Sequence, residues 1–342
     1  MSNLGAAVTV WKIRSAVVMT TVGLFAAVLV TGPAGPAEAA SPRVPKDRSG
    51  LRWASGAFMM EQTPKEHDAF GTWRKAKTDV AMSYTGRHAW SDIVNPAWLF
   101  QSWADAPQTL VISSAPFPEQ SKFTLAACRR GSYDSQWRKF GANVTASGMA
   151  KRTIVRLAWE FNGDWQQWAA RKPADFVGCW RRIFRAAESR APGLRWDWTV
   201  NRGSSAGVMT DPRKAWPGKK YVDIVGVDTY DGWPAVLGRT GWNKQYKGAY
   251  GLKFWAEFAR TKGKRLSVPE WGLYRGSNWA GHNGGDNPYY IKKMFGFFRE
   301  QRGNLAYEAY FNDEIPEHLT ALSVNPKGAA EYRRQIKKSM AP

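Results

Sequence analysis

Eight apolar runs of strand type recur along the chain, and turns and amphipathic stretches separate them. The runs span Trp53–Met59, Val80–Gly86, Thr109–Phe117, Thr153–Asn162, Arg195–Arg202, Tyr221–Tyr230, Arg265–Tyr274 and Ala306–Asn312. The clearest helix-like segments between them span Ala174–Ser189, Gly251–Thr261 and Tyr289–Gln301. Strands that alternate with helices predict a parallel sheet, and eight such units predict closure into a barrel. We therefore expect an α/β fold consisting of a single (β/α)8 TIM barrel.

The length of the chain agrees with one barrel, because the 342 residues leave ~38 for each unit once a leader is removed. Neither a P-loop nor a GxGxxG motif follows any of the strands, so nucleotide-dependent chemistry is not expected. The sequence has no HExxH motif, and its four histidines are far apart in sequence. We therefore expect no metal site and no cofactor.

The first 39 residues have the pattern of a secretory signal peptide. Lys12 and Arg14 precede an apolar run over Ala16–Val30, and a small-x-small cleavage site follows at residues 37–39. An uncleaved membrane anchor is the alternative, although the apolar run is shorter than the ~20 residues that span a bilayer. We predict a secreted protein that begins near Ala40, with a short linker over residues 40–50 and the barrel over residues 51–342.

The chain has only two cysteines, Cys128 and Cys179. In an exported protein an even number of cysteines is compatible with a disulfide. Each cysteine lies in the helical region after a strand, the third strand and the fourth strand respectively. Because those helices are neighbours in a barrel, we predict that the two cysteines form a disulfide.

The formal net charge is +21, but the Lys and Arg residues are scattered and form only short clusters. A nucleic-acid partner is therefore not expected, whereas a loose attraction to anionic cell-wall polymers remains open. Tryptophan is abundant, with 19 residues. Most of these should pack in the core, and a surplus would suit a protein that stacks aromatic rings on sugars. We expect a monomer.

Two glutamates lie at the ends of predicted strands, Glu160 on the fourth and Glu270 on the seventh. Active sites of such barrels form at the carboxyl ends of the strands. A carboxylate in an apolar strand must be paired, protonated or functional, because burying an unpaired charge is costly. Two carboxylates above one barrel opening suit acetal hydrolysis, in which one donates a proton to the leaving oxygen. The alternative is a pair of structural carboxylates bonded to a base such as Arg156.

These segments resemble glycoside hydrolase family 26, a family of retaining barrel enzymes typified by β-mannanases. The resemblance runs through most of the mature chain and is firmest over Ile154–Asn287. The family's fourth-strand signature is Arg-Pro-x-His-Glu followed by Gly-x-Trp. The matching residues here are Arg156, Glu160, Gly163 and Trp165, while Leu157 and Trp159 replace the Pro and the His.

The resemblance implies that Glu160 is the acid/base and Glu270 the nucleophile of a retaining enzyme. Their carboxyl groups should then lie ~5–5.5 Å apart, and Tyr230 should hydrogen-bond Glu270. We expect the pKa of Glu160 to be raised by its apolar surroundings. The residues predicted to contact the substrate are Arg156, Trp165, Trp168, Asp228, Tyr230 and Trp271. The implied substrate is a polysaccharide, β-1,4-mannan first, with β-glucan, β-xylan or non-catalytic glycan binding as alternatives.

Several of these residues have a second interpretation. Arg156 could orient a catalytic group from below, and Asp228 could cap the next helix. Trp165 and Trp168 could pack in the core. Asn201 and Arg202, at the end of the fifth strand, could bind sugar hydroxyls or close a turn. The family often has a sugar-stacking Trp after the eighth strand. That Trp is absent here, and residues Tyr310 to Asp313 occupy the position.

Overall fold

The eight predicted strands form a closed barrel in which each strand is parallel to its neighbours and the order follows the chain. The strands are β1 Ala54–Met59, β2 Val80–Tyr84, β3 Thr109–Ser114, β4 Thr153–Leu157, β5 Arg195–Asn201, β6 Ile224–Tyr230, β7 Arg265–Gly272 and β8 Leu305–Asn312. This computed structural model describes residues 44–45, 48–203 and 208–340. The predicted signal peptide lies outside the described residues. The predicted (β/α)8 barrel is confirmed.

Ten α-helices occur in the described residues. They are α1 Pro64–Arg74, α2 Trp90–Val94, α3 Ala97–Trp103, α4 Leu125–Arg129, α5 Asp134–Ala146, α6 Pro173–Glu188, α7 Arg239–Lys247, α8 Leu252–Thr261, α9 Pro288–Gln301 and α10 Pro326–Ser339. The three helices predicted from the sequence correspond to α6, α8 and α9, each displaced by at most one residue at either end. Within the described ranges, no helix combines the length and the apolar character needed to cross a membrane.

The strands are buried on both faces, which explains why they appear in the sequence as continuous apolar runs. One set of side chains points into the barrel, and the alternate set packs against the helices. Nine tryptophans in the main apolar core are less than 2% exposed. They are Trp53, Trp103, Trp137, Trp168, Trp180, Trp196, Trp198, Trp255 and Trp271. Much of the tryptophan surplus therefore serves packing.

The described part of the predicted linker is packed against the barrel instead of extending freely. Val44 and Ser49 are buried. The backbone N–H groups of Arg48 and Ser49 each donate to Asp79 Oδ1 at 3.0 Å. These hydrogen bonds attach residues 48 and 49 to Asp79, which directly precedes β2. The packed part of the chain therefore begins before residue 51.

The two cysteines form a disulfide between α4 and α6, the helical segments that follow β3 and β4. The Cα atoms of Cys128 and Cys179 are 4.8 Å apart, and both side chains are buried. The link therefore joins two neighbouring units of the barrel beneath the surface.

Replacing both cysteines with serine should lower the free energy of unfolding by roughly 4 kcal/mol, because the sequence separation of 51 residues makes the closed loop long. We expect a lower urea midpoint for the Cys128→Ser/Cys179→Ser variant than for the oxidised wild type. Reduced wild type is the control, because it loses the same link without substitutions. Two free thiols in the native, unreduced protein would contradict the pairing.

Candidate active site

A cavity of about 730 Å³ opens at the carboxyl ends of the strands, and both predicted catalytic glutamates line it. Its other lining residues are Tyr84, Arg87, Glu119, Trp159, Trp165, Gln166, Asn201, Tyr230, Tyr274, Asn278, Trp279, Phe311 and His318. Aromatic rings make up much of the wall, and polar groups are interspersed among them. Such a lining fits a ligand that has flat faces as well as hydroxyl groups.

Glu160 is placed by a break in the backbone after β4, not by the strand itself. Ala158 and Glu160 both have left-handed backbone conformations, with φ values of 47° and 51°. The N–H of Glu160 donates to Thr199 O at 3.0 Å, and the N–H of Gly163 donates to Glu160 O at 2.8 Å. These bonds hold a turn that residues other than glycine rarely adopt. The turn brings the side chains of both Trp159 and Glu160 to the cavity.

Trp165 is half exposed and holds Glu160 from the side. Its indole N–H donates to Glu160 Oε2 at 2.9 Å, and 55% of the residue remains exposed. The ring lies against Gly163, where a Cβ atom would come within 2.3 Å of Trp165 Cζ2. Glycine at position 163 therefore allows the tryptophan to fold back over the glutamate.

Glu270 lies near the end of β7 and is surrounded by hydrogen-bond donors. Tyr230 OH donates to Glu270 Oε2 at 2.9 Å. Tyr84 OH and Arg156 Nη1 both donate to Glu270 Oε1. Three donors, one of them a charged guanidinium, fix the orientation of this carboxylate.

Arg156 and Asp228 lie directly below Glu270 and are completely buried. Arg156 forms an ion pair with each of the two carboxylates, and it also donates to Ser113 Oγ at 2.9 Å. Asp228 Oδ1 accepts the backbone N–H of Glu270 at 3.1 Å. These two residues thus position Glu270 from inside the barrel.

The electrostatic surroundings of the two glutamates differ. Burial, reinforced by the charge of Glu270, raises the pKa of Glu160 to about 7, although Arg156 and the Trp165 hydrogen bond oppose the shift. Burial and the neighbouring Glu270 carboxylate also raise the pKa of Tyr84 and of Tyr230 well above the usual value. Both tyrosines therefore remain protonated and act as donors. Glu160, which lines the cavity, can therefore exchange a proton near neutral pH.

One carboxylate oxygen from each of Glu160, Asp228 and Glu270 lies within 4.8 Å of the others. Among the described residues this is the cluster whose spacing could accommodate a metal ion. Arg156 already forms ion pairs with two of the three carboxylates, so the protein supplies a cation there itself. A raised pKa at Glu160 reduces the negative charge further.

The prediction that Trp168 and Trp271 contact substrate is wrong, because both are completely buried. Trp168 lies behind Trp159 and donates its indole N–H to the Trp159 carbonyl at 2.8 Å. Trp271 points outward from β7, where it packs against Tyr310 and the helices and donates to Glu308 Oε2 at 2.5 Å. Both are core residues.

Arg156 and Asp228 are also too deeply buried to contact a sugar. The alternative for Arg156, that it orients a catalytic group from below, agrees with its ion pair to Glu270. Asp228 accepts hydrogen bonds within the site instead of capping a helix. Asn201 lines the cavity, whereas Arg202 closes a turn by donating to the carbonyls of residues 232 and 233.

The sequence analysis missed Tyr84, at the end of β2, which contacts Glu270 directly. The rule that sites form at strand ends could have found it, because Tyr84 lies near the end of the second predicted apolar run. It also missed Tyr274, Trp279 and His318, which line the cavity from loops after β7 and β8. No strand pattern marks Trp279 or His318, whereas Tyr274 ends the seventh predicted apolar run. Phe311, near the end of β8, lies close to the position at which the family often has a sugar-stacking Trp.

The carboxyl group of Glu160 should titrate near pH 7, well above the ordinary value of 4.5. Carbon NMR of protein with labelled glutamate carboxyls would measure this. In Glu270→Gln the Glu160 pKa should fall, since a neighbouring negative charge is removed. In Trp165→Phe it should rise, since a hydrogen bond to the ionised form is lost. Titration of Glu160 near 4.5 in the unsubstituted protein would contradict this description of the site.

Comparison with known proteins supports the resemblance inferred from the sequence. Residues 150–293 match the sequence profile of glycosyl hydrolase family 26, a stretch that includes both glutamates. A comparison with curated protein sequences found no match.

Solved structures of family 26 proteins share the fold. GH26C from Muricauda sp. MAR_2010_75 aligns with a TM-score of 0.64 and 14% identity over 85% of this chain and 87% of its own. The catalytic domain of a Bacillus sp. JAMB-750 endo-β-1,4-mannanase aligns with a TM-score of 0.61 and 14% identity over 87% of this chain and 88% of its own. A Cellulomonas fimi endo-β-1,4-mannanase double mutant aligns with a TM-score of 0.58 and 15% identity over 85% of this chain and 72% of its own. At these identities the likeness establishes the fold. Together with the sequence match over residues 150–293, it supports the resemblance to family 26, and the chain is a glycoside hydrolase with a (β/α)8 barrel.

Proposed function

We propose that the chain is a retaining endo-β-glycanase in which Glu270 is the nucleophile and Glu160 is the acid/base. One observation carries this proposal: carboxylate oxygens of the two glutamates lie within 4.8 Å of each other above the barrel. Retaining glycosidases have carboxyl groups ~5–5.5 Å apart, whereas inverting enzymes need ~6.5–9.5 Å to admit water. The donors around Glu270 and the raised pKa of Glu160 support the same assignment.

In the first step, Glu270 attacks the anomeric carbon, and Glu160 donates its proton to the leaving glycosidic oxygen. Arg156 and the two tyrosines keep the Glu270 carboxylate oriented, so little reorganisation is needed before attack. The product of this step is a covalent glycosyl-enzyme and a shortened chain with a free hydroxyl.

In the second step, water attacks the same carbon from the side vacated by the leaving group, and the bond from that carbon to Glu270 breaks, which releases Glu270 as a carboxylate. Glu160 accepts a proton from that water and regains its starting protonation state. Trp165 donates to Glu160 Oε2, and a donor at that position stabilises the carboxylate form that exists between the two steps. The anomeric configuration is retained because two inversions cancel.

The preferred substrate in this proposal is β-1,4-mannan. The Bacillus and Cellulomonas structures are those of endo-β-1,4-mannanases, and residues 156–165 resemble the fourth-strand signature of family 26. A β-glucan is a second candidate, favoured by Trp159, which replaces the histidine of the signature and lines the cavity. Phe311 also replaces the tryptophan expected after the eighth strand.

We further propose that the protein is secreted after cleavage of residues 1–39 and acts as a monomer. The basic charge of +21 supports a loose attraction to anionic wall polymers. Such an attraction should weaken as salt concentration rises, because exposed charges are screened. N-terminal sequencing of exported protein tests the cleavage, since a sequence that starts at Met1 would contradict it.

A screen of reducing-sugar release tests the activity. We expect the strongest release from mannan or glucomannan, and the panel should include barley β-glucan and xylan. Binding without release, measured on the same panel, would support the alternative of a non-catalytic barrel. Proton NMR of the first product separates the mechanisms, since an α product from a β-linked chain would contradict retention.

The roles of the two glutamates should separate when each is replaced with alanine. Glu270→Ala should abolish turnover on every substrate. Glu160→Ala should lose about 10²–10⁴-fold on natural glycans but keep the first step on dinitrophenyl glycosides, whose leaving group needs no proton. Azide should then restore turnover of Glu160→Ala and give a β-glycosyl azide.

Glu257→Ala is the matched control, because Glu257 is an exposed residue of α8 outside the cavity. Its activity should equal that of the wild type. Rescue of Glu270→Ala by azide to an α-azide would show that the roles are reversed. Near-normal activity of both glutamate variants on the preferred glycan would rule out this site.

A further inference from the structure

We infer that Trp233 forms an additional sugar-stacking platform outside the catalytic cavity and binds a ring of the same β-glycan chain. The inference rests on the proposed function. Trp233 follows β6, is 57% exposed, and is absent from the residues that line the cavity. An indole with one open face presents the flat apolar surface that stacks on a sugar ring.

The ring of Trp233 is supported on one face only. It stacks on His282, with ring centroids 3.6 Å apart and planes inclined by 15°. Since His282 covers that face, the exposed area of Trp233 belongs to the opposite face and the ring edges. The supporting histidine comes from the loop after β7, so two adjacent loops of the barrel opening build the platform together.

The backbone of Trp233 is held in place by hydrogen bonds from three directions. Its N–H donates to the His282 carbonyl at 3.2 Å, and its own carbonyl accepts from Arg202 Nη2 at 3.1 Å. Gln245 Nε2 donates to the adjoining Pro234 carbonyl at 2.8 Å. Trp233 has a φ of 43°, which a bulky residue adopts only when its surroundings impose it.

The platform is continuous with the wall of the catalytic cavity. Gly232 packs on Trp279 so closely that a Cβ atom would lie 2.4 Å from Trp279 Cε3. Trp279 lines the cavity, and it stacks on Tyr274 at 3.8 Å with planes inclined by 15°. Its ring centroid is 6.0 Å from that of Tyr230, the tyrosine that donates to Glu270. A glycan chain that leaves the cavity past Trp279 would next meet Trp233.

Leu237, in the same loop, is exposed as well, and an exposed apolar pair could also contact another protein. The glycan is favoured because the platform adjoins the cavity and because His282 stacks on one face of the indole and leaves the other face available. We therefore assign Trp233 to recognition of a sugar several units from the bond that is cut, where it would favour long chains over short ones.

The test compares Trp233→Ala with the wild type on the polymer that the screen identifies and on a dinitrophenyl β-glycoside of the same sugar. We expect kcat/KM on the polymer to fall about tenfold, chiefly through KM, since one stacking contact is lost. Activity on the aryl glycoside should be unchanged, because that substrate is too short to reach position 233. Trp233→Phe should recover part of the loss.

Trp98→Ala is the matched control, since Trp98 is similarly exposed, at 47%, but lies in α3 and does not line the cavity. Its kinetics should equal those of the wild type on both substrates. Equal losses for Trp233→Ala on polymer and aryl glycoside would indicate a disturbed site and overturn the inference. Unchanged polymer kinetics, with or without altered self-association, would also overturn it. A wild-type chain inactive on every glycan would instead refute the proposed function, on which this inference depends.

Discussion

The buried guanidinium of Arg156 is the constraint on which the site depends. It lies inside the barrel without solvent exposure and forms ion pairs with both Asp228 and Glu270. Two carboxylates so close together could not both be ionised in this environment without a cation, because burying unpaired charge is costly. Conversely, an unpaired arginine at the same depth would be equally unfavourable. The three residues therefore require one another, and they come from β4, β6 and β7, so the charge balance also requires the barrel to close correctly.

This charge balance also separates the two glutamates. Arg156 compensates the charge of Glu270, which has two tyrosine donors as well. Glu160 accepts one hydrogen bond, from the indole of Trp165. Burial, reinforced by the charge of Glu270, raises the pKa of Glu160 to about 7. The pKa of Glu160 in the folded protein is above its ordinary value of 4.5, so folding favours the protonated carboxyl group. The free energy of unfolding should therefore fall as the pH rises from 4.5 towards 7. The contrast in environment assigns the proton donor and the nucleophile without any difference in residue type.

The existence and order of the strands could be predicted because parallel strands covered on both faces are apolar throughout. Which face a residue occupies could have been predicted as well. Glu270 and Trp271 are neighbours on one strand, so their side chains must point in opposite directions. If Glu270 faces the cavity, Trp271 must pack against the helices, as it does. The error came from treating the sequence motif as one functional unit. Trp279 and Trp233 could not be placed, because loop conformation depends on contacts with other loops that periodicity does not encode.

The end of β4 shows why alternation fails where the site is built. The apolar run continues to residue 162, yet the strand ends at Leu157. If β4 continued as a regular strand, Trp159 and Glu160 would point to opposite faces. Instead, left-handed conformations at Ala158 and Glu160 turn both side chains towards the cavity. Each such conformation costs about 1–3 kcal/mol in a residue other than glycine. The hydrogen bonds of Glu160 with Thr199, Gly163 and Trp165 offset that cost. The chain thus gives up local backbone stability at one position, and it gains a carboxyl group and an aromatic ring on the same side of the barrel opening.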